Sequence, residues 1–453
     1  MIISLMANLL KDCVSESLPE EKMKQGKYLF VFSFFLALAL SFQLPVLAQE
    51  HASPFSQSSP EDVGMSSERL RHVVNTVQEW VNNDEIVGAI MLVIRHDKVV
   101  LHEAVGWSDR EKNIPMERGT IVQMRSMTKP LTGTAVLMLM EEGRLLLDDK
   151  VSQYLPSFDN PRSKNITVYQ LLTHTSGLPG DLRVSSLFSQ RKRYASLRED
   201  VDQLGRMGPL LEPGTDFQYS DRGSRVLGAL VEEISGMPAD EFIQKRILDP
   251  LQMKDSFFFH TRPDNQRRSR IATAYRPRAL GARIEEITGI APKGFSPGEP
   301  GNWDRRFDNS EFPLAQYFRP AAGLLSTAMD YAKFMSMMLH GGRFGARQLL
   351  SPAAVKLATS PHSAYVYDAA SLFVLRNQRE TWRFYGLHWR VLTDKYRLIP
   401  GLASSGSFGH GGVLGTHAWA DPQQELIFIY LTQSQGHQTR WRFVDLVYAA
   451  IVD

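Results

Sequence analysis

The sequence predicts an α+β fold, and three observations carry that expectation. Strand-like apolar segments stand near both ends of the chain, at residues 86–105 and Leu426–Thr432. Between them lie segments whose apolar residues recur with helical spacing. Neither an internal repeat nor an interdomain linker divides the chain. One interleaved domain over residues 61–453 is therefore expected, although 453 residues would allow about three by length alone.

The elements follow in order. Ser66 is placed to cap a helix with the apolar stripe Leu70, Val73, Val74, Val77 and Trp80. Residues 86–94 and 98–105 read as strands joined at His96-Asp97, a hairpin. Residues 126–142 form the most apolar helix, with Leu131, Ala135, Val136, Leu139 and Met140, and Gly143 stops it. Val168–Leu172 is a short helix capped by Thr167, and Asp221–Ser235 buries Val226, Leu227, Leu230, Val231 and Ile234. Two polar stretches, 179–209 and 261–313, read as excursions. The chain returns to a strand at Leu426–Thr432 and closes with a helix around 443–451.

Composition excludes several classes. Apolar residues make up 43% and charged residues 22%, a soluble globular balance. Lys plus Arg is 51 against 49 for Asp plus Glu, so the net charge of +2 argues against a nucleic-acid partner. The single cysteine excludes a disulfide scaffold or a Cys-ligated zinc ribbon. Residues 29–42 are an uncharged apolar run, preceded by Lys24 and Lys27 and followed by Val46-Leu47-Ala48. This pattern is that of a secretory signal peptide cut after Ala48, with a retained anchor as the alternative. Residues 1–22 carry Asp12, Glu16, Glu20 and Glu21, so the expected translation start is Met23. The leader is thus residues 1–48, and the Ser/Pro/Gln-rich 49–60 is a flexible lead-in. An exported protein, periplasmic or secreted, is expected, free of membrane after cleavage. Cys13 leaves with the leader, which removes any thiol nucleophile.

Metal and phosphate motifs are absent: the sequence has no H-E-x-x-H and no G-x-x-x-x-G-K-[ST], and its twelve histidines are scattered singly. No metal and no cofactor are expected. Residues 294–298 match G-x-S-x-G, but Pro297 lacks the backbone N–H that such an elbow needs after its serine. S-x-x-K occurs twice. Ser189-Gln190-Arg191-Lys192 lies in a polar stretch, whereas Ser126-Met127-Thr128-Lys129 opens the most apolar helix. The i, i+3 spacing sets both side chains on one helix face, and the helix N-terminus places positive dipole and N–H groups at the serine. Pro130 sits in the first turn, where its missing N–H is harmless.

Two further groups complete a pattern: Tyr219-Ser220-Asp221 before a helix, and His410-Gly411-Gly412 near the C-terminal strands. With the phrases at 143–156, 166–178 and 321–334, their order and separations resemble the serine β-lactamase-like family. That family includes class C β-lactamases, D-Ala-D-Ala peptidases and family VIII carboxylesterases. The resemblance covers the chain from about Pro60 to the last helix. It implies a β-lactamase/transpeptidase-like fold: an antiparallel sheet flanked by helices, plus an all-α subdomain, with the site between them. It also implies Ser126 as nucleophile, with Lys129 and Tyr219 supplying the base, either of which could take the proton. The implied oxyanion hole is the N–H of Ser126 and of Val413. Asp221, His410, Gly411 and Gly412 would contact substrate. The expected course is an acyl-Ser126 intermediate followed by water attack. His174, in His-Thr-Ser-Gly-Leu, is read as a structural element.

Two departures bear on substrate. Asp221 stands where the family usually has Asn, and an ionised Asp can only accept hydrogen bonds. His410 stands where lactamases commonly place lysine, and it is charged only in part near neutrality. Both weaken recognition of a substrate carboxylate. The favoured activity is therefore carboxylester or small-amide hydrolysis, with a small-molecule ester, amide or peptide as partner. A D-Ala-D-Ala carboxypeptidase or weak β-lactamase is the enzyme alternative, and a catalytically silent binding or sensor module on the same fold is the other. The basic clusters 191–193 and 267–270 read as solvated loops, Phe257–Phe258, Phe259 and Tyr317-Phe318 as packing residues, and Asn165-Ile166-Thr167 as a chance glycosylation match.

Overall fold

The Ser66 hydroxyl accepts from the N–H of Arg69 and so starts the first helix, α1 (Ser67–Asn82), whose Leu70, Val73, Val77 and Trp80 are buried. This computed structural model describes residues 55–180, 194–261, 264–277, 303–307, 317–364, 384–393, 402–435 and 439–453. The leader, Ser189–Lys192 and the G-x-S-x-G match lie outside the described residues. Strands β1 (Gly88–Arg95) and β2 (Lys98–Asp109) follow. His96 and Asp97 join them with φ of 50° and 59°, the paired left-handed conformation that matches the twist of a two-residue hairpin.

The helical elements come from the middle of the chain. A 3-10 turn, Arg125–Thr128, runs into α2 (Lys129–Glu141), and Gly143 follows with φ 69°. The helix α3 (Val168–Leu172) is capped by Thr167 through a capping box with Gln170. Two further helices are α4 (Leu197–Met207) and α5 (Asp221–Ser235), the latter capped by Ser220. The helix α6 is Ala328–Leu339. Short strands β3 (Phe384–Tyr385) and β4 (Arg390–Val391), then β5 (Phe408–Gly411), β6 (His417–Asp421) and β7 (Leu426–Thr432), lead to α7 (Thr439–Ala449).

One sheet collects both ends of the chain. Its order is Ser56–Gln57, β2, β1, β7, β6, β5, β4, β3 and Ser363–Ala364. The N-terminal β1 pairs antiparallel with the C-terminal β7, with Met91 opposite Tyr430. Every β1 and β7 residue is buried, because both faces of the sheet are covered. Ile90, Leu92, Ile427 and Ile429 face the core shared with α2, α5 and α6. Met91, Val93, Phe428 and Tyr430 face α1 and α7. The expected β-lactamase/transpeptidase-like α+β architecture is the observed one.

Four details differ from expectation. Ser56–Gln57 pairs parallel with Lys98–Val99, so the expected lead-in already contributes an edge to an otherwise antiparallel sheet. The polar stretch 179–209 contains α4, whose Leu197, Val201 and Leu204 are buried on one face. The stretch 261–313 contains a strand pair, Ala274–Pro277 with Trp303–Phe307. Within the basic cluster 267–270, Arg270 is bound to Asp255 and to the Gly119 carbonyl rather than free in solvent.

Candidate active site

Ser126 stands at the start of the buried helical run. The first bond of the turn runs from the Met127 N–H to the Met124 carbonyl, so the Ser126 N–H precedes the helical ladder. The preceding residue, Arg125, has φ 53°, a left-handed conformation uncommon for a side-chain-bearing residue. Its carbonyl is pinned by the Thr128 hydroxyl at 2.7 Å. Ser126 itself is half-buried.

One turn on, the Lys129 side chain is completely buried. Its Nζ meets Ser126 Oγ at 3.3 Å, Asp221 Oδ1 at 2.5 Å and the Ala321 carbonyl at 3.1 Å. An ammonium has three protons, and three acceptors are supplied. Burial opposes the charge, but the Asp221 carboxylate and Tyr219 outweigh it, and the Lys129 pKa is raised above the ordinary lysine value. Helix α5 begins at Asp221 and delivers that carboxylate to Nζ. Tyr219 arrives two residues earlier, with Nζ 4.7 Å from its ring centroid. The Tyr219 hydroxyl is shielded from solvent and has no hydrogen-bond partner among the described residues.

Strand β5 and the turn after it form the opposite wall. The Gly412 N–H donates to the Thr416 carbonyl at 2.8 Å, and the Gly415 N–H to the Gly412 carbonyl at 3.0 Å, closing a turn with Val413 exposed at its tip. A Cβ on Gly412 would lie 2.2 Å from Thr416 Oγ1 and 2.6 Å from the Met124 carbonyl, so only glycine lets this turn reach the segment carrying Ser126. Thr416 Oγ1 in turn donates to that Met124 carbonyl at 3.2 Å.

His410 is not open to the site's solvent. It is buried, its Nδ1–H donates to the Gly411 carbonyl at 2.9 Å, and its Nε2 accepts from the Tyr385 hydroxyl at 2.8 Å. Burial, together with the nearby Arg390 and Lys129 charges, holds its pKa well below the usual histidine value. His174 is likewise buried and neutral: burial first, then His388 and Lys129, keep its pKa well below the usual value. Its Nδ1 accepts from the Ser220 N–H at 3.3 Å, between Tyr219 and Asp221, which is a structural role.

The structure thus brings Ser126, Lys129, Tyr219 and Asp221 together, with Gly412 against the same segment. Sequence reasoning missed Tyr385, His388 and the Ala321 carbonyl. Tyr385 and His388 carry no motif and reach the site through sheet order; Ala321 acts through its backbone, although the phrase 321–334 marks the segment.

The sequence model of the family described as Beta-lactamase matches residues 73–449. A Mycobacterium tuberculosis (strain H37Rv) protein, Rv1367c, is 28% identical over 79% of this chain and 88% of its own length. An Escherichia coli (strain K12) relative is 27% identical over 83% of this chain and 85% of its own length; its name carries D-alanyl-D-alanine carboxypeptidase as an assigned rather than a demonstrated activity. The structure of EstCE1, a hydrolase with promiscuous acyltransferase activity, superposes with a TM-score of 0.66 at 24% identity, over 85% of this chain and 99% of that one. The D-amino acid amidase of Ochrobactrum anthropi SV3, complexed with D-phenylalanine, gives 0.64 at 19% identity over the same shares.

Proposed function

Because the chain belongs to the beta-lactamase family, whose members are serine hydrolases, we propose that it hydrolyses small carboxylic esters or amides through an acyl-Ser126 intermediate. The observation that carries the reading is the set of three acceptors around Lys129. An ammonium held this way has no lone pair with which to take the serine proton. Tyr219 is then the base, its hydroxyl without a hydrogen-bond partner among the described residues and its ring centroid 4.7 Å from Lys129 Nζ.

In the proposed sequence Ser126 Oγ bonds to the substrate carbonyl carbon as its proton passes to Tyr219 Oη, which hands its own hydroxyl proton on toward the leaving-group oxygen. The carbonyl electron pair moves onto oxygen, which accepts from the N–H groups of Ser126 and Val413. Collapse breaks the bond to the leaving alkoxide, which receives the proton from Tyr219. Water then attacks the acyl carbon, its proton passing to Tyr219 Oη while the Tyr219 proton goes to Ser126 Oγ, and the acyl–oxygen bond breaks to free the Ser126 hydroxyl. Gly411 and Gly412 carry the second oxyanion donor to its place. Asp221 serves chiefly as the anion for Lys129.

The preference for neutral substrates rests on the motif cations. Lys129 is spent on Asp221, and His410 is buried and neutral. Neither is offered to the carboxylate of a penicillin or a C-terminal D-Ala. The name of the E. coli relative favours the second reading, a D-Ala-D-Ala carboxypeptidase. A chromogenic short-chain ester and a chromogenic cephalosporin, assayed side by side with wild type and Ser126→Ala, separate the two. Ester turnover lost in the variant supports the proposal. Rapid cephalosporin turnover without esterase activity overturns the preference, and no covalent labelling of wild type by a fluorophosphonate favours a silent module.

Export through a leader cut after Ala48 is part of the same proposal. Among the described residues no helix is long and apolar enough to cross a membrane.

A further inference from the structure

The sheet-edge hairpin delivers a side chain that the reaction scheme leaves unused. Between β3 and β4 the chain turns through residues 386–389, and His388 sits there at φ 64°, in the left-handed region that favours glycine. A side chain kept in such a position points to a role for that side chain. His388 is wholly buried.

Its contacts are with the elements that carry the site. Nδ1–H donates to the Lys129 carbonyl at 3.0 Å, which leaves Nε2 to accept from the Ser224 hydroxyl at 3.4 Å. Ser224 lies one turn after Asp221 on α5. The His388 ring stacks on His174 at 5.3 Å, and the His388 backbone N–H donates to the Leu172 carbonyl at 3.0 Å. Gly133 on α2 makes the approach possible, since a Cβ there would lie 3.0 Å from His388 Cβ. One imidazole therefore touches the helix of Lys129, the helix of Asp221 and the His174 segment behind Tyr219. A ring that only filled space would need no polar partner at either end, and here both nitrogens are engaged.

We infer that His388 is a positioning residue that sets the spacing of Lys129 and Asp221 for the reaction at Ser126. The inference rests on the reading of Ser126 as nucleophile. His388 lies behind Lys129 and touches no substrate, so its effect is on the rate of chemistry rather than on binding.

The test compares His388→Gly and His388→Phe with wild type on a short-chain p-nitrophenyl ester, with and without added imidazole. Glycine suits the backbone and leaves a ring-sized space. Phenylalanine fills the space without hydrogen bonds. The expected result is a fall in kcat of tenfold or more in both, toward the ~100-fold that an ångström-scale misplacement costs, with KM unchanged. Imidazole restores part of kcat in His388→Gly and none in His388→Phe. Should the glycine variant not fold, the phenylalanine variant at wild-type melting temperature carries the test. Wild-type kcat in a folded variant overturns the inference while fluorophosphonate labelling of Ser126 stands. Absence of labelling in wild type overturns the underlying reading as well.

Discussion

Lys129 and His410 are both almost fully buried basic groups, and they end in opposite charge states. Lys129 has a carboxylate at 2.5 Å and its pKa is raised despite burial. His410 has a carbonyl and a phenol as partners, no anion among the described residues to offset burial, and its pKa is driven well down. Burial alone does not decide the charge of a group; the chemistry of its partners does. One wall of the site is thus a fixed ion pair, and the other a neutral hydrogen-bonded chain.

Removing the group that both walls serve gives the largest effect. Ser126→Ala should lower ester turnover by about 10⁴-fold or more, read by initial rates on a p-nitrophenyl ester, with the fold kept by circular dichroism. Breaking the charged wall comes next. Asp221→Ala strands a buried ammonium and should cost about 3–5 kcal/mol of stability, measured by urea unfolding.

The neutral histidines around the site are exposed through pH. His174, His388 and His410 are all buried with lowered pKa values, that of His388 to about 3. The unfolded chain takes up protons near the reference value of about 6.5 while the folded chain does not. Stability is therefore full above that pH and falls as pH drops below it, by at most about 4 kcal/mol per pH unit if all three remain neutral. Urea midpoints across pH 4–8 check this. A flat profile would mean that the three rings are already solvated.

Smaller effects follow at the turn and at the cap of His410. Gly412→Ala should push the turn away from Met124 and slow ester turnover by about 100- to 1000-fold, with KM little changed in the same assay. Tyr385→Phe leaves His410 Nε2 without its donor and should cost about 1–3 kcal/mol in thermal unfolding, the mildest change of the set.

Much of this was legible in the residues because it is local. Ser66, Thr167 and the His96-Asp97 pair set element ends through contacts a few residues long. Ser126 lies in the turn that runs directly into the helix of Lys129, so their meeting follows from spacing. The helix α4 was hidden because Arg, Asp and Glu fill the positions between Leu197, Val201 and Leu204 in an otherwise polar stretch. Tyr385 and His388 were hidden because only strand order brings them to Lys129 and His410. The Ala321 carbonyl has no side-chain signature, yet it supplies the third acceptor around Lys129 Nζ.

That charge state is the centre of the account, and nitrogen NMR of the Lys129 side chain, assigned by its loss in Lys129→Arg, reads it directly. The prediction is an ammonium signal that stays unchanged from pH 6 to pH 9 in wild type. Conversion to the neutral amine within that range would contradict it and return the role of base to Lys129.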